Sequence, residues 1–348
     1  RVMRNKWLWR TLSVLAGLVV VTVLVFTVSP WPSALIIRQI FQDGAKKTAA
    51  VMAPYAPTSG VDSVLDIQYA TDSTEPHVKA SDFTQLDVYY PTGTTTQLGT
   101  VIWTHGGAWI SGNKANDRSY FEILASKGYT VVGLNYTYGP EATYPTAVFE
   151  LNQAHKFLLA NAEKFHIDPN AIVMAGDSAG AQLTSQLATL ITNPSYAKEM
   201  DFTPVLTPEQ LQGVVLNCGV YQVTSLLGQK GILGWGDDAS LWANTGDRDL
   251  ANSAAVAQMS TINHVDENFP VTYISGGNAD PLTAENSKPF AAKLQSLGVN
   301  VTELFWPADY TPALPHEYQF KLNLDAAQIA LTQTLAFLNE RIGSNSSQ

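Results

Sequence analysis

Residues 171–180 of this chain read AIVMAGDSAG and continue into AQLTSQLATLIT. The apolar run 171–175 predicts a short buried strand, and residues 179–192 predict a helix. The G-x-S-x-G pentapeptide between them is typical of a tight, strained turn, in which glycines avoid the clashes of a Cβ atom. Such a turn presents the hydroxyl of Ser178 beside the free N–H groups of a helix N-terminus. We therefore predict that Ser178 is a nucleophile at the carboxyl end of a strand.

The rest of the chain largely alternates between stretches that favour strands and stretches that favour helices. The other predicted strands are 64–69, 85–90, 100–104, 130–136, 213–219, 271–276 and 300–306. The other predicted helices of this part are 117–128, 146–165, 283–297 and 322–342. This alternation is typical of a mostly parallel sheet with helices on both faces, so we predict an α/β fold.

The composition limits the partners and the covalent chemistry of the chain. It has 348 residues and a net charge of −10, which argues against nucleic acid as a partner. Cys218 is the single cysteine, so no internal disulfide can form, and its apolar surroundings indicate a small core side chain. The predicted serine chemistry calls for no metal and no organic cofactor.

An apolar segment near the N-terminus predicts a transmembrane helix. Residues 11–28 carry no charge, and a helix of this length would span about 27 Å, close to the hydrocarbon core of a bilayer. Four basic residues precede it: Arg1, Arg4, Lys6 and Arg10. The positive-inside rule makes residues 1–30 a cytoplasmic tip and a single-pass anchor, with the rest of the chain outside the cell membrane. A cleaved signal peptide, which would yield a secreted protein, is the alternative.

Residues 31–60 connect this segment to the predicted catalytic domain, 61–348. Residues 34–52 have the apolar spacing of an amphipathic helix, and a Pro- and Gly-containing linker follows. The helix could lie on the membrane, pack against the catalytic domain, help to cover an active site, or act as a spacer.

Residues 222–269 interrupt the alternation of strands and helices with a Gly-rich, apolar insertion. An insertion of this size in a compact domain is often functional, so we interpret it as a lid or part of a substrate pocket. Its Trp235 and Trp242 are predicted to line that pocket. A loop and helix that only cover the core are the alternative.

A glycine turn follows the predicted strand 100–104. A serine nucleophile needs N–H donors for the developing oxyanion, and glycines let backbone N–H groups approach a substrate closely. We predict that Gly106 and Gly107, with the N–H group of Ala179, form this oxyanion hole; a purely structural Gly-Gly turn is the alternative. Three nearby side chains are predicted to line the substrate pocket: His105, Trp109 and Asp177.

The predicted base and acid come later in the chain. His316, in LPHEY, lies between the last predicted strand and the last helix, at the carboxyl end of a strand, where a parallel sheet places its site. Surface or core roles are expected for His77, His155, His166 and His264, and His105 belongs to the glycine turn. Asp280, in GGNADPL directly after the strand 271–276, is the predicted acid. Other carboxylates remain as alternatives: Asp237, Asp238, Asp266 and Asp309.

Four motifs resemble those of a known family: HGGAW at 105–109, GDSAG at 176–180, ADPL at 279–282 and PHEY at 315–318. They are similar to the α/β-hydrolase esterases of the hormone-sensitive-lipase-like group, especially its bacterial acetyl-esterase branch (alpha/beta hydrolase fold-3). The similarity extends over about residues 62–342 and leaves the N-terminal apolar segment and its following helix outside.

The resemblance implies an α/β-hydrolase fold and a serine carboxylic ester hydrolase that acts on short- to medium-chain acyl esters through Ser178, Asp280 and His316. Two positions depart from the family pattern: Ala108 replaces the last glycine of the common HGGG motif, and Glu317 replaces a glycine that often follows the base. A carboxylate at 317 could discourage anionic substrates or raise the pKa of the histidine. A serine peptidase or amidase, and a non-catalytic binding module, remain open alternatives, as does the oligomeric state.

Overall fold

The computed structural model describes residues 2–343, and side chains from residue 6 onward. Outside it lie Arg1 and the side chain of Arg4, both in the predicted basic tip, and residues 344–348 at the end of the predicted catalytic domain. Its strands are β1 (Val61–Gln68), β2 (Gln85–Pro91), β3 (Leu98–Thr104), β4 (Thr130–Leu134), β5 (Ile167–Asp177), β6 (Leu211–Asn217), β7 (Thr272–Gly276) and β8 (Val301–Phe305).

These eight strands form one sheet in the order β1-β2-β4-β3-β5-β6-β7-β8. β2 pairs antiparallel with both β1 and β4, and all the remaining pairs are parallel. Side chains alternate between the two faces, as the period of a strand requires. In β3, Val101 and Trp103 join one buried cluster and Ile102 joins the other. The carboxyl ends of the parallel strands therefore share one edge, where a site is expected.

The helices are α1 (Val2–Val28), α2 (Trp31–Met52), α3 (Arg118–Ser126), α4 (Thr146–Ala160), α5 (Ala179–Thr192), α6 (Pro194–Glu199), α7 (Gly231–Thr245), α8 (Ala254–Met259), α9 (Lys288–Ser296) and α10 (Asp325–Ile342). Phe121 of α3 and Phe337 of α10 share a buried cluster with Trp103. Leu151 of α4 and Leu183 of α5 belong to the cluster on the opposite face. The core thus consists of two apolar layers, one on each side of the sheet.

The predicted fold class is confirmed, since all eight predicted strands form and the sheet is mostly parallel with helices on both faces. One difference in extent concerns the helix predicted over 146–165, which ends at Ala160. The side-chain amide of Asn161 donates to the carbonyl of Phe157 at 2.8 Å and caps the helix there. A turn of residues 161–166 follows, and His166, with a φ of 57°, leads into β5.

The N-terminal segment forms the long helix α1. Its part Lys6–Val28 has a mean hydropathy of 2.5 and no buried residue, so it is long and apolar enough to cross a membrane. A signal sequence near an N-terminus has the same properties, so α1 is a candidate for either role. The helical conformation is interrupted at Ser29 and Pro30. Pro32 lies in the first turn of α2, where its missing N–H group leaves no helical hydrogen bond unmade.

The helix α2 packs against the catalytic domain, one of the placements left open by the sequence. Arg38 holds it there, because its guanidinium donates to both carboxylate oxygens of Glu141, at 2.6 and 2.7 Å, and its Nε donates to the carbonyl of Ile110 at 2.7 Å. Ala34 and Ile37 of the same helix are buried in a small apolar cluster with Ile110. The rotation of α2 about its axis is therefore set by both polar and apolar contacts.

Candidate active site

The turn between β5 and α5 holds Ser178 in a strained conformation, with φ 51° and ψ −122°. Gly176 and Gly180 permit this turn. A Cβ atom on Gly176 would lie 2.5 Å from the carbonyl of Gly180, and one on Gly180 would collide with the carbonyl of Thr104. The glycines of the pentapeptide are therefore required by close backbone approach, and the strain at Ser178 is of the kind stored at functional sites.

Ser178, His316 and Asp280 form a continuous hydrogen-bonded chain at the carboxyl edge of the sheet. His316 Nε2 lies 2.9 Å from Ser178 Oγ, and His316 Nδ1 lies 2.7 Å from Asp280 Oδ2. The Asp280 carboxylate is almost completely buried, so its Nδ1–H bond is shielded from water. With Nδ1–H donating to the carboxylate, Nε2 carries a free lone pair that can accept a hydrogen bond from the serine hydroxyl. The structure thus brings together three residues predicted from widely separated motifs.

Backbone bonds join the acid loop to the histidine loop. The N–H group of Ala279 donates to the carbonyl of Leu314 at 2.9 Å, and the N–H group of Leu314 donates to Asn278 Oδ1 at 2.8 Å. The N–H group of Leu282 donates to the second carboxylate oxygen of Asp280 at 3.0 Å. Asp280 therefore has a fixed orientation toward the imidazole before any substrate binds.

None of the four alternative acids hydrogen-bonds the imidazole, whose bonds within the described residues go to Asp280 and Ser178. Asp238 lines a cavity beside α1 and α2, and Asp266 accepts a hydrogen bond from the N–H group of Asn268 in its own turn. Burial, Asp238 and Glu285 together raise the pKa of Asp237 to about 6. His316 reaches Asp280 instead, which is the residue predicted from the position after β7.

The glycine turn differs from the prediction at Gly106. Its N–H group donates to Asp177 Oδ2 at 2.9 Å and so is not free for an oxyanion. The prediction that Gly106 donates to the oxyanion is therefore corrected. Within the part of the chain that the structure describes, the N–H groups of Gly107, Ala108 and Ala179 donate to no protein acceptor. These three groups are the candidate oxyanion donors, one residue further along the turn than the sequence suggested.

Asp177 supports the glycine turn from the buried side and is not part of a pocket wall. Its carboxylate is buried, and Oδ1 accepts from Trp103 Nε1 at 2.8 Å while Oδ2 accepts from Gly106. A Cβ atom on Gly106 would lie 2.6 Å from Oδ2, so only glycine lets the backbone approach this carboxylate. The placement of Asp177 in the substrate pocket is therefore corrected to a supporting position.

The other two side chains predicted beside the donors are also buried supports. His105 stacks on Tyr136 with ring centroids 4.5 Å apart, its Nδ1 bonds the carbonyl of Gly106 at 2.7 Å, and burial lowers its pKa to about 4. Trp109 donates from Nε1 to Gln182 Oε1 at 2.9 Å. Both are too buried to line an open pocket, so the prediction that they contact the substrate is corrected.

Ala108, the residue that departs from the HGGG pattern, has a φ of 51°. It packs against a small apolar cluster made by Ile110 and by buried side chains of α2 and α7. The members from α2 are Ala34 and Ile37, and those from α7 are Ala239 and Ala243. The methyl group of Ala108 therefore gives the turn a contact with the two covering helices that a glycine would lack. The residue of one candidate oxyanion donor, Ala108, is therefore in direct contact with the apolar cluster of α2 and α7.

The two tryptophans of the insertion lie elsewhere. Trp235 and Trp242 line a cavity of about 440 Å³ whose wall also contains Phe26 of α1 and Ser33 of α2. None of the three hydrogen-bonded site residues lines that cavity. The predicted contact of the two tryptophans with the acyl substrate is therefore corrected to a junction between the insertion and the N-terminal helices.

Three carboxyl groups lie close together beside the site: Asp117, Asp177 and Glu317. The sequence does not predict this grouping. Burial, then Asp117 and Glu317, raise the pKa of Asp177, and burial and Glu317 raise that of Asp117. Glu317 Oε1 lies 3.8 Å from His316 Nε2. Asp117 directly precedes α3 and its side chain makes no cap hydrogen bond. Its neighbours are far from it in the sequence, so only the folded chain reveals them.

Several groups act on the pKa of His316. Burial lowers it, whereas Cys218, Asp280 and Glu317 raise it, and the net shift is upward. Burial raises the pKa of Cys218 itself to about 11, so the thiol is neutral at pH 7. With the thiol neutral, Asp280 and Glu317 are therefore the neighbours that favour the imidazolium form.

One cluster in the described residues has the ligand types of a metal site. The ligand atoms of Cys218, Asp280 and His316 lie within 4.8 Å of one another. The imidazole nitrogens and Asp280 Oδ2 are already joined to each other and to Ser178 by hydrogen bonds. A metal ion would have to replace those bonds, so the geometry fits proton transfer better than metal binding.

The strand order, the turn at Ser178 and the histidine loop after β8 define an α/β-hydrolase fold. The chain belongs to the BD-FAE family, whose family model matches residues 86–294. The match includes Ser178 and Asp280 and ends before His316. The resemblance drawn from the four sequence motifs is thereby confirmed at the level of the family.

Known proteins resemble the chain to different extents. A putative alpha/beta hydrolase, R526, of Acanthamoeba polyphaga mimivirus is 31% identical over 121 residues, or 34% of this chain and 35% of that protein. An AB hydrolase superfamily protein, C1039.03, of Schizosaccharomyces pombe is 27% identical over 152 residues, 42% of this chain and 43% of that protein. The matches thus span less than half of the length of these curated relatives.

Among solved structures, esterase B from Lactobacillus rhamnosis has a TM-score of 0.73 and 21% identity, over 89% of this chain and 96% of that one. An esterase from Pyrobaculum calidifontis has a TM-score of 0.66 and 19% identity, over 88% and 93% of the two chains. At these identities the likeness concerns the fold.

Proposed function

We propose that this protein is a serine carboxylic ester hydrolase that acts through Ser178, His316 and Asp280 by an acyl-enzyme. The observation that carries the proposal is the unbroken chain of 2.9 and 2.7 Å contacts from the serine hydroxyl through the imidazole to a buried carboxylate. Membership of the BD-FAE family supports it. A binding module without catalysis would have no need of this alignment.

In the proposed reaction, His316 Nε2 takes the proton of Ser178 as its Oγ attacks the acyl carbonyl. Asp280 keeps Nδ1 protonated and stabilises the imidazolium that forms. The N–H groups of Gly107, Ala108 and Ala179 hold the developing oxyanion, and each well-placed donor contributes roughly 3–4 kcal/mol. His316 then returns the proton to the leaving alcohol, and water activated by the same imidazole releases the acid.

Short- to medium-chain acyl esters are the proposed substrate class. One solved relative in fold, esterase B of Lactobacillus rhamnosis, has been crystallised with a tributyrin phosphonate inhibitor. The inhibitor was bound to that other protein. It is the reason to test esters of similar chain length first on the present chain. The membrane is the second proposed partner, through α1, with the catalytic domain outside; a secreted form after signal cleavage is the competing outcome.

The test compares the full chain in detergent with its Ser178→Ala variant on p-nitrophenyl esters of increasing acyl length. Ser126→Ala on α3 is the matched control, because that hydroxyl only bonds the carbonyl of Ile123 in its own helix. We expect Ser178→Ala to lose at least about a thousandfold in kcat and the control to keep full activity. A folded wild-type protein that hydrolyses amides but no ester would favour the peptidase alternative. One that hydrolyses neither and ignores a fluorophosphonate probe would favour a binding module.

A further inference from the structure

An apolar surface lies on the outer side of the helices that cover the site. We define it as the cap face; its members are Trp31, Leu35, Ile36 and Ile40 of α2, and Ile232 and Leu233 of α7. The side chains are well exposed, with 60% of Ile40 and 79% of Ile232 open. The two helices contact each other, so these exposed apolar side chains lie on neighbouring elements. Single exposed aliphatic residues are ordinary, whereas an apolar surface built from several of them can serve as an interaction surface.

We propose that the cap face rests on the lipid bilayer that α1 crosses, so that the site behind α2 lies next to the membrane and receives acyl esters carried in it. The inference rests on the proposed membrane anchor and extends the proposed ester hydrolysis to membrane-borne substrates. The bilayer is favoured over a second copy of the chain because the face begins where the membrane segment ends.

Continuity with α1 is the first support. α1 ends at Val28 and α2 begins at Trp31, so only two residues separate them. Phe26 of α1 and Trp235 of α7 line the same cavity, which places the beginning of α7 beside the end of α1. Tryptophan is enriched at the level of the lipid headgroups, the position that Trp31 would take at the end of the anchor.

The way α2 is docked is the second support. Its inner face carries the buried Ala34 and Ile37, and Arg38 bonds Glu141 and the carbonyl of Ile110. These contacts leave the helix no freedom to turn its outer side chains inward. Leu35, Ile36 and Ile40 are thus held outward by the catalytic domain itself and remain for another partner to cover.

The distribution of polar residues along α2 is the third support. Its outer side is mainly apolar near α1, and exposed Asp43, Lys46 and Lys47 follow further along the helix. A helix lying in the membrane interface buries its apolar part and directs lysine ammonium groups to the phosphates. The apolar part of α2 is the part nearest the anchor, as this arrangement requires.

The cap face lies over the active site and not on a remote side of the domain. The inner side of α2 packs on Ile110 next to Ala108, a candidate oxyanion donor. α2 also contacts the turn Tyr318–Phe320, which follows the histidine loop. A domain seated through the outer side of α2 would therefore hold its covered site within a helix diameter of the lipid, about 10–12 Å.

The first test measures contact with lipid independently of activity. Full chains with Ile232→Cys or, as a matched control, Ile329→Cys on α10 are labelled with a fluorophore; Ile329 is 43% exposed, and Cys218 is buried. Each is reconstituted in phosphatidylcholine vesicles with headgroup-proximal brominated lipid. An interfacial face reaches about 5–10 Å into the headgroup region, so we expect about half of the fluorescence at 232 to be lost and little at 329. Equal quenching at the two positions would overturn the proposal, and so would crosslinking between two copies at 232 without quenching.

The second test separates lipid-borne from dissolved substrate. The full chain with Ile232→Glu and Leu233→Glu is compared with the wild type and with Ile329→Glu on p-nitrophenyl butyrate and on a diacylglycerol in the vesicles. We expect about a tenfold loss for the double variant on the vesicle substrate alone, which corresponds to about 1.4 kcal/mol. The inference would be contradicted if the double variant kept the wild-type activity on both substrates. If no chain hydrolysed any ester, ester hydrolysis would fail as the function, while the quenching would still decide membrane contact.

Discussion

Two backbone turns face each other across the candidate site, and different forces position them. The turn at Ser178 is held by close backbone packing, because Gly176 and Gly180 leave no room for a Cβ atom. The glycine turn is held by a buried carboxyl group, because the two side-chain oxygens of Asp177 accept hydrogen bonds from Trp103 Nε1 and from the N–H group of Gly106. A glycine can thus serve catalysis without touching the substrate, since Gly106 makes room for the carboxylate that supports its neighbours.

The largest effect is expected from adding one methyl group at the serine turn. Gly180→Ala would drive its Cβ into the carbonyls of Thr104 and His105, both part of the backbone at the end of β3. The backbone of a central strand cannot move away cheaply, so we expect a loss of stability of about 3 kcal/mol or more, or no soluble protein. Thermal unfolding measures this effect.

Gly236→Ala is the control for that substitution, since nothing lies within 4 Å of a Cβ atom at this position on α7. It should leave the unfolding temperature unchanged or slightly raised. A Gly180→Ala protein as stable as the control would show that the serine turn tolerates a side chain, and the contrast between the two turns would fail.

An intermediate effect is expected at Asp177, the buried carboxyl that supports the glycine turn. Asp177→Asn keeps the shape of the side chain but turns one acceptor into a donor, which must then face the N–H group of either Trp103 or Gly106. The glycine turn would shift relative to Ser178, so kcat should fall about ten- to a hundredfold while KM changes little. Steady-state kinetics on a p-nitrophenyl ester separate the two constants.

Asp249→Asn is a suitable control, because Asp249 is exposed and bonds only the side chain of Asn252. An Asp177→Asn enzyme with a raised KM and an unchanged kcat would return Asp177 to the pocket wall that the sequence suggested.

The smallest effect is expected from Glu317, the carboxylate that faces both turns. Its charge, 3.8 Å from His316 Nε2, helps to raise the pKa of the imidazole, which acts as a base only when it is neutral. Glu317→Gln should lower that pKa, so the acidic limb of the kcat/KM profile should move to lower pH. Because the pKa of His316 is raised above its ordinary value, the profile is measured from about pH 5 to well above the range in which histidine usually titrates. A limb that stayed in place or moved to higher pH would show that Glu317 does not act on the imidazole.

Much of this arrangement is predictable from the sequence, for identifiable reasons. Buried strands are apolar runs bounded by turns, so all eight were found, and the chain order of Ser178, Asp280 and His316 follows from strand-end motifs. The sequence does not predict which N–H group of the glycine turn is free to bind an oxyanion. Which one is free depends on Asp177, a partner 71 residues from Gly106 in the chain.

The insertion shows the same limit. Trp235 and Trp242 stand out in the sequence as aromatic residues of a segment that breaks the alternation, and a pocket wall was a reasonable interpretation. They line a cavity whose wall also contains Phe26 of α1, and helical periodicity reveals which side of a helix is apolar without revealing what lies opposite it. Long-range contacts of this kind emerge only when the fold is assembled.

The measurement that tests the central claim most directly is the site of covalent labelling by a fluorophosphonate, read by mass spectrometry of the digested full-length protein. We predict one adduct per chain on the peptide that contains Ser178, with none in the Ser178→Ala variant and slow labelling in His316→Ala, where the base is missing. An adduct on another serine, or labelling unaffected by the loss of His316, would contradict the account.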